Sequence, residues 1–283
     1  MTAVLELRAV EHVFSDGGHG LRSCSLAFER GQRHALLGSN GAGKTTLLQH
    51  RNCLLRPSAG KVCLDGQPLD YSRTGLNALR QRVGLVFQNP ERQLFSALVE
   101  EDVSFGPLNL GLDAASVRTR VAAALDAVGM SDYGQSAVHH LSFGQKKRVC
   151  ISGVLAMEPS VLLLDEPMAG LDAPMQLELA ALLDRLCARG VTVLLSTHDI
   201  DFAYGWADRM HLMVAGSCIA SGPAGQVAQQ AELLRAAGQR LPAALALHAL
   251  LTARGALPPS AIPRSVDGLL DMLRTPYSGK IPA

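Results

Sequence analysis

The run GSNGAGKTT, Gly38 to Thr46, constrains this chain more than any other stretch of it. It lies between an apolar strand-like run, Arg33 to Leu37, and an apolar helix-like run that starts at Leu47. That is the context a phosphate-binding loop requires. Backbone N–H groups of Gly38, Ser39, Asn40, Gly41, Ala42 and Gly43 can turn inward onto phosphate oxygens, because glycines permit the necessary turns. The helix behind them adds the positive end of its dipole, and Lys44 adds a mobile charge. Thr45 is expected to hold Mg²⁺ through its hydroxyl, with Thr46 completing the loop. The spacing predicts binding of a nucleoside triphosphate but leaves the reaction open, since kinases, GTPases, helicases and transport ATPases share such loops.

Short continuous apolar runs bounded by turn residues recur at RHALLG, RVGLVFQ, VLLLDE, VTVLLSTH and RMHLMVAG. Such runs suit strands covered on both faces. Alanine- and leucine-rich segments at helical spacing lie between them, notably Val117 to Gly129 and Met175 to Gly190. Strand and helix therefore alternate as in a parallel α/β sheet. LELRAV and CSLAFER, separated by the polar turn SDGGHG, join KVCLDG in predicting a small antiparallel β layer. Residues from about 90 to 160 carry helical pattern alone and predict an inserted helical lobe. After Gly222 the chain turns to alanine, leucine, proline and arginine without strand signal, which predicts a helical C-terminal appendage. Pro258, Pro259 and Pro263 mark an irregular linker within it. The expected fold is an α/β P-loop NTPase, with a main domain over residues 1–225 and the appendage over 226–283.

A formal charge of +1 with 18% charged residues supplies no basic field, so no nucleic-acid partner is expected. The six cysteines form no C-x-x-C pair and fall largely in apolar runs, which predicts buried reduced thiols. Nine histidines include the pair His139 and His140, but no ligand cluster at metal spacing accompanies them. The first residues carry Glu6, Arg8 and Glu11 without an apolar core, so a secretory signal is not expected and the cytoplasm is. The uncharged stretch Met210 to Ala231 is interrupted by Gly216, Gly222, Pro223 and Gly225, which argues against a membrane span.

Four further motifs bear on the reaction. VLLLDE ends an apolar strand in two adjacent carboxylates, and the period-2 geometry of a strand predicts that they point to opposite sides. Asp165 would then orient the Mg²⁺ shell while Glu166 polarises the water attacking the γ-phosphate; the alternative is a pair of acids capping a strand end. His198 closes VTVLLSTH and should reach the same sheet edge, where a phosphate-sensing role fits better than a structural one. Gln88 closes RVGLVFQ just before Pro90 breaks the chain; it can reach Mg²⁺ or the attacking water if the lobe moves, or be an ordinary polar loop residue. LSFGQKKRV opens a helix-like run in which Ser142, Phe143, Gly144 and Gln145 form a second anion site. Because the chain already has a phosphate loop, this second site is expected to serve a nucleotide held by another subunit.

In chain order these motifs resemble those of the nucleotide-binding subunit of ABC transporters. GSNGAGKTT resembles the Walker A loop, Gln88 the Q-loop, LSFGQ the signature, VLLLDE the Walker B strand, Ala169 to Asp172 the D-loop, and His198 the switch histidine. The resemblance spans about residues 4 to 225 and implies a RecA-like core with inserted helical and antiparallel subdomains. It also implies ATP and Mg²⁺ as cofactors and a head-to-tail homodimer. Phe14 stands where the family carries an aromatic residue that stacks on adenine, and Phe143 stands where the signature usually has glycine. The strings Phe87 to Leu112 and LSFGQKKRVCISGVLAMEP are similar to the ATPases of energy-coupling factor importers of the cobalt or nickel type. That likeness implies a peripheral subunit on the cytoplasmic face of the cell membrane. Residues Asn89 to Val99 would touch an integral membrane coupling subunit, Glu91 would pair with an arginine there, and a membrane substrate-binding component would be reached indirectly. ELLRAAGQRLP in the tail also looks like the cobalt-type subunits, whose appendage supports dimerisation. Alternatives are an importer ATPase of the same kind for a vitamin, a soluble ABC ATPase without a membrane partner, and a P-loop kinase or nucleotide-binding regulator.

Overall fold

The structure is a computed structural model that describes residues 3–274. It begins with a hairpin of β1 (Ala3–Val13) and β2 (His19–Glu29), followed by β3 (Arg33–Leu37) and α1 (Lys44–Arg51). Strands β4 (Ala59–Leu64) and β5 (Gln67–Pro68) return to the hairpin and complete a four-stranded antiparallel sheet of order β2-β1-β4-β5. Along β2, Cys24, Leu26 and Phe28 are buried while Ser25 and Ala27 are exposed. That alternation is what one covered face requires.

Helix α2 (Arg73–Arg82) leads to β6 (Val83–Val86), and the chain then enters a lobe of α3 (Val99–Asn109), α4 (Ala114–Ala127) and α5 (Phe143–Leu155). It returns through β7 (Val161–Leu164), α6 (Ala173–Ala188), β8 (Thr192–Thr197), α7 (Ile200–Trp206), β9 (Arg209–Val214) and β10 (Ser217–Pro223). The six-stranded sheet has the order β10-β9-β3-β8-β7-β6, parallel throughout except that β10 runs antiparallel to β9. The strand-like runs of the sequence are thus found, but β10, a return strand at the sheet edge, was not anticipated. Neither was α2, which buries only Leu79 and packs Leu76 against the same core, a stripe too short to read.

The central strands lack polar alternation because each face feeds a different core. Leu162, Leu164, Val193 and Leu195 join the core beneath the helical lobe and tail, whereas Val161, Leu163, Leu194 and Leu36 join the one beneath the antiparallel sheet. Truncating one of these buried leucines to alanine costs about 2–5 kcal/mol. The helices expected from periodicity at Val117 and Met175 begin earlier, at Ala114 and Ala173. Asp113 and Asp172 cap them by accepting main-chain N–H bonds, and caps are polar, so apolar periodicity does not register them.

The tail forms α8 (Ala224–Val227), α9 (Ala231–Ala236), α10 (Ala243–Ala253) and α11 (Val266–Arg274). Leu234, Ala237, Ala244 and Leu245 are buried in the same core as the central sheet. Arg264 stacks on Tyr204 of α7 and donates to its carbonyl at 2.9 Å, and the Tyr204 hydroxyl donates to Pro263 O at 2.9 Å.

A chain of neutral histidines joins the two sheets behind α1. His34 Nε2 faces the Glu29 carbonyl at 3.1 Å and must donate to it, so His34 Nδ1 accepts from His211 Nε2 at 3.1 Å. The Ser221 hydroxyl then donates to His211 Nδ1 at 2.9 Å. Burial holds both rings below the usual histidine range, His34 at about 4. Arg51, at the end of α1, is fully buried nearby with its guanidinium 3.5 Å from the Phe28 ring centroid. Its side-chain nitrogens have no hydrogen-bond partner among the described residues. All six cysteines are free thiols, four of them buried.

Candidate active site

Because β3, β6, β7 and β8 run parallel, their carboxyl ends open on one edge of the sheet. A cavity of about 490 Å³ lies there, lined by Phe14, His19, Gly20, residues 40–46, Gln88, Asp165, Glu166 and His198. This is where ligands bind in open α/β sheets.

The turn from β3 into α1 ends at Gly43, whose φ of 97° is left-handed, and a Cβ there would lie 2.6 Å from Gly20 O. Among the described residues no side chain caps α1. Its first-turn N–H groups therefore lie open at the cavity beside the loop. Lys44 is only 7% exposed; its Nζ donates to Gly38 O at 2.7 Å and Ser39 O at 3.2 Å, and lies 3.8 Å from Glu166 Oε1. The ammonium is thus held across the mouth of its own loop.

The expectation of opposed carboxylates is overturned. Strand β7 ends at Leu164, Glu166 has a left-handed φ of 44°, and both acids line the same cavity. Strand alternation does not extend past the last paired residue, and a left-handed glutamate costs about 1–2 kcal/mol. The two acids nevertheless keep different partners. Asp165 Oδ2 accepts from the Thr45 hydroxyl at 2.7 Å, and its Oδ1 accepts from the Ser196 hydroxyl at 2.6 Å. Glu166 Oε2 meets His198 Nδ1 at 2.9 Å. Ser196 also accepts from Glu166 N at 2.9 Å, so one buried hydroxyl on β8 pins both acids. Thr45, Asp165 and Gln88 offer hard oxygen donors on one wall, a donor set that suits Mg²⁺.

Gln88 is exposed, two residues beyond the end of β6, and makes no hydrogen bond that fixes it among the described residues. The anchor of this loop is Gln93, which accepts from Phe87 N at 3.1 Å and donates to Cys150 O at 3.0 Å. Phe14 is 41% exposed beside the loop, with its ring centroid 4.6 Å from His12 in a T-shaped contact; His12 in turn sits 4.6 Å from His50. The Phe14 face is available for stacking, and the histidines behind it escaped the sequence reading.

Ser142 to Gln145 do not line this cavity. Ser142 is the N-cap of α5: its hydroxyl accepts from Gln145 N at 3.3 Å, and its N–H donates to Gln145 Oε1 at 2.9 Å. This reciprocal box satisfies part of the helix end but leaves the hydroxyl proton free to donate outward. Gly144 is buried, and a Cβ there would lie 2.6 Å from Met175 Sδ, so the end of that flexible side chain on α6 would have to turn aside. Phe143 is 43% exposed. Glu91 does not await a partner: it pairs with Lys146 at 3.1 Å.

Residues 21–169 match the family model described as ABC transporter. The chain is 47% identical over 239 residues to the energy-coupling factor transporter ATP-binding protein EcfA of Methanothermobacter thermautotrophicus, covering 84% of this chain and 77% of that one. It is also 47% identical over 271 residues to the cobalt import ATP-binding protein CbiO of Rhodobacter capsulatus, covering 95% and 96%. The solved structure of cbiO1 from Clostridium perfringens, part of the ABC transporter complex cbiONQ, superposes with a TM-score of 0.74 at 43% identity, covering 83% of this chain and 94% of that one. The chain therefore belongs to the ABC transporter family, as an ATPase of the energy-coupling factor type whose ATP hydrolysis is coupled to transport.

Proposed function

We propose that this ATPase energises uptake of a transition-metal ion, cobalt or nickel, through a membrane partner. The observation that carries the site reading is the convergence of Lys44, Thr45, Asp165, Glu166, Gln88 and His198 on one cavity. The 47% identity to a cobalt import protein over nearly the whole chain supports the metal. The first relative is described only by its coupling-factor class, so a vitamin is the second reading.

The loop amides and Lys44 bind the β- and γ-phosphates of ATP, and Phe14 stacks on the base. Thr45, Asp165 and Gln88 would hold Mg²⁺, which neutralises charge on the phosphates when bound. Glu166 accepts a hydrogen bond from the attacking water, and His198 holds that carboxylate in place and senses the γ-phosphate. Since Ser142 to Gln145 lie outside the cavity, a second copy supplies them, which makes the working unit a head-to-tail homodimer. In this reading residues 1–225 form the engine and 226–283 an appendage that supports the dimer.

The surface for the membrane coupling subunit is a groove of about 570 Å³ floored by Phe87, Phe95, Phe105 and Leu110 and rimmed by Arg73 and Arg80. Phe95 and Phe105 are 64% and 50% exposed and meet edge to face at 4.6 Å. Of the segment Asn89 to Val99, Gln93 and Phe95 line this groove; an arginine of the coupling subunit would compete with Lys146 for Glu91. Among the described residues no helix is long and apolar enough to cross a membrane, in keeping with a peripheral place at its cytoplasmic face.

Replacing Glu166→Gln should leave ATP affinity intact, stabilise the dimer and lower kcat by about 10²–10³ or more. Wild-type turnover in that variant, measured by phosphate release, would remove Glu166 from its role. Uptake of labelled cobalt, nickel and vitamins by cells carrying the assembled transporter separates the substrate readings.

A further inference from the structure

The turn from Glu166 to Asp172 carries the carboxylate that faces the nucleotide, yet its main chain is held by a different motif. Lys147 of α5 is 2% exposed, and its Nζ donates to Glu166 O at 3.3 Å and Ala169 O at 2.8 Å. Phe143, one turn earlier on α5, rests on the same segment: a Cβ at Gly170, where φ is 77°, would lie 2.8 Å from its Cε1. The Lys147 ammonium sits 5.5 Å from the Phe143 ring centroid. The neighbouring Lys146 pairs with Glu91, three residues past Gln88. Two adjacent lysines thus tie the start of α5 to the loops after both β6 and β7.

We infer that Lys147 is a positioning residue for hydrolysis: with Phe143 it clamps the 166–170 turn so that Glu166 keeps its left-handed backbone and its carboxylate faces the cavity. The inference rests on Glu166 as the group that orients water. A left-handed glutamate persists only where its surroundings hold it, and here Ser196, Ala169 and Lys147 do so through Glu166 N and O. Phe143, in place of the usual signature glycine, acquires a role as the floor of the clamp. Ser142 to Gln145 act on the partner's nucleotide while Glu166 acts on the chain's own, so this ammonium joins the two sites through a single helical turn. Burial makes a lysine here costly, and desolvation pushes its pKa down to about 8. Packing alone would be served as well or better by methionine.

The test compares Lys147→Met and Lys147→Gln in the full chain, with Glu166→Gln as control. A merely structural lysine predicts unchanged or improved Tm and unchanged kcat in Lys147→Met. The clamp predicts kcat lower by about tenfold or more at an ATP KM changed less than about twofold, with part of the rate restored by the amide donor of Lys147→Gln. Wild-type kcat in Lys147→Met, or a parallel loss of ATP affinity, Tm and rate that glutamine does not rescue, overturns the clamp. Turnover persisting in Glu166→Gln would instead overturn the reading of Glu166 beneath it.

Discussion

In the proposed dimer, helices α1 and α5 both present an N-terminus to phosphate, and their ends are built in opposite ways. At α1 the cap is a left-handed glycine with no side-chain bond, so the helix end is finished by whatever binds in the loop. At α5 Ser142 and Gln145 finish it themselves. In the proposed reading the first is a preformed cradle that contributes to binding in a single copy; the second is a partly self-capped end with one hydroxyl proton to spare, suited to closing on a nucleotide already held elsewhere.

The contrast is most exposed to Lys44→Ala. Its expected effect is a loss of about 100-fold or more in ATP affinity of the isolated chain, read by equilibrium binding. Unchanged affinity would erase the distinction between the two ends. Acid should be felt behind α1: the folded state holds His34 neutral down to about 4 against an ordinary 6.5, so between those pH values the unfolded chain takes up a proton that the folded chain refuses. Stability should therefore fall with falling pH over that window by about 1.4 kcal/mol per pH unit for this histidine. The groups facing the pair include Arg51, Arg209 and Glu29, and the measurement is a set of denaturation midpoints in which His34→Leu flattens the slope. Smallest is Ser142→Ala, which should cost about 1 kcal/mol of stability through the lost cap while leaving ATP affinity of the monomer unchanged. Its larger consequence should appear only in dimer-dependent hydrolysis; weakened monomer binding would contradict the division of labour.

Several features were legible along the chain because their physics is local. A glycine-rich turn between strand and helix, continuous apolar runs, and acidic, histidine or glutamine residues at strand ends each follow from spacing. Parallel pairing then carries those ends to one edge, so Asp165, Glu166, His198, Gln88 and Lys44 meet without further instruction. What failed was the extension of local geometry beyond its range. Strand alternation does not reach Glu166, which lies past the end of β7, and α2 offers only Leu76 and Leu79 to the core, too few to set a period.

The sequence by itself determined the phosphate loop, the order of motifs and the two-sided burial of the central strands, since each depends on residues close together in the chain. Only the tertiary structure decided which side chains hold the two carboxylates of the cavity and the loops beside them. Ser196 stands 30 residues from Glu166, Lys147 stands 19 away, and Gln93 reaches Cys150 across 57. A serine in a strand, a lysine in a basic run and a glutamine in a loop carry no distinguishing pattern of their own. Their roles come from burial beside main-chain groups that need partners, and burial of that kind exists only once the chain has folded.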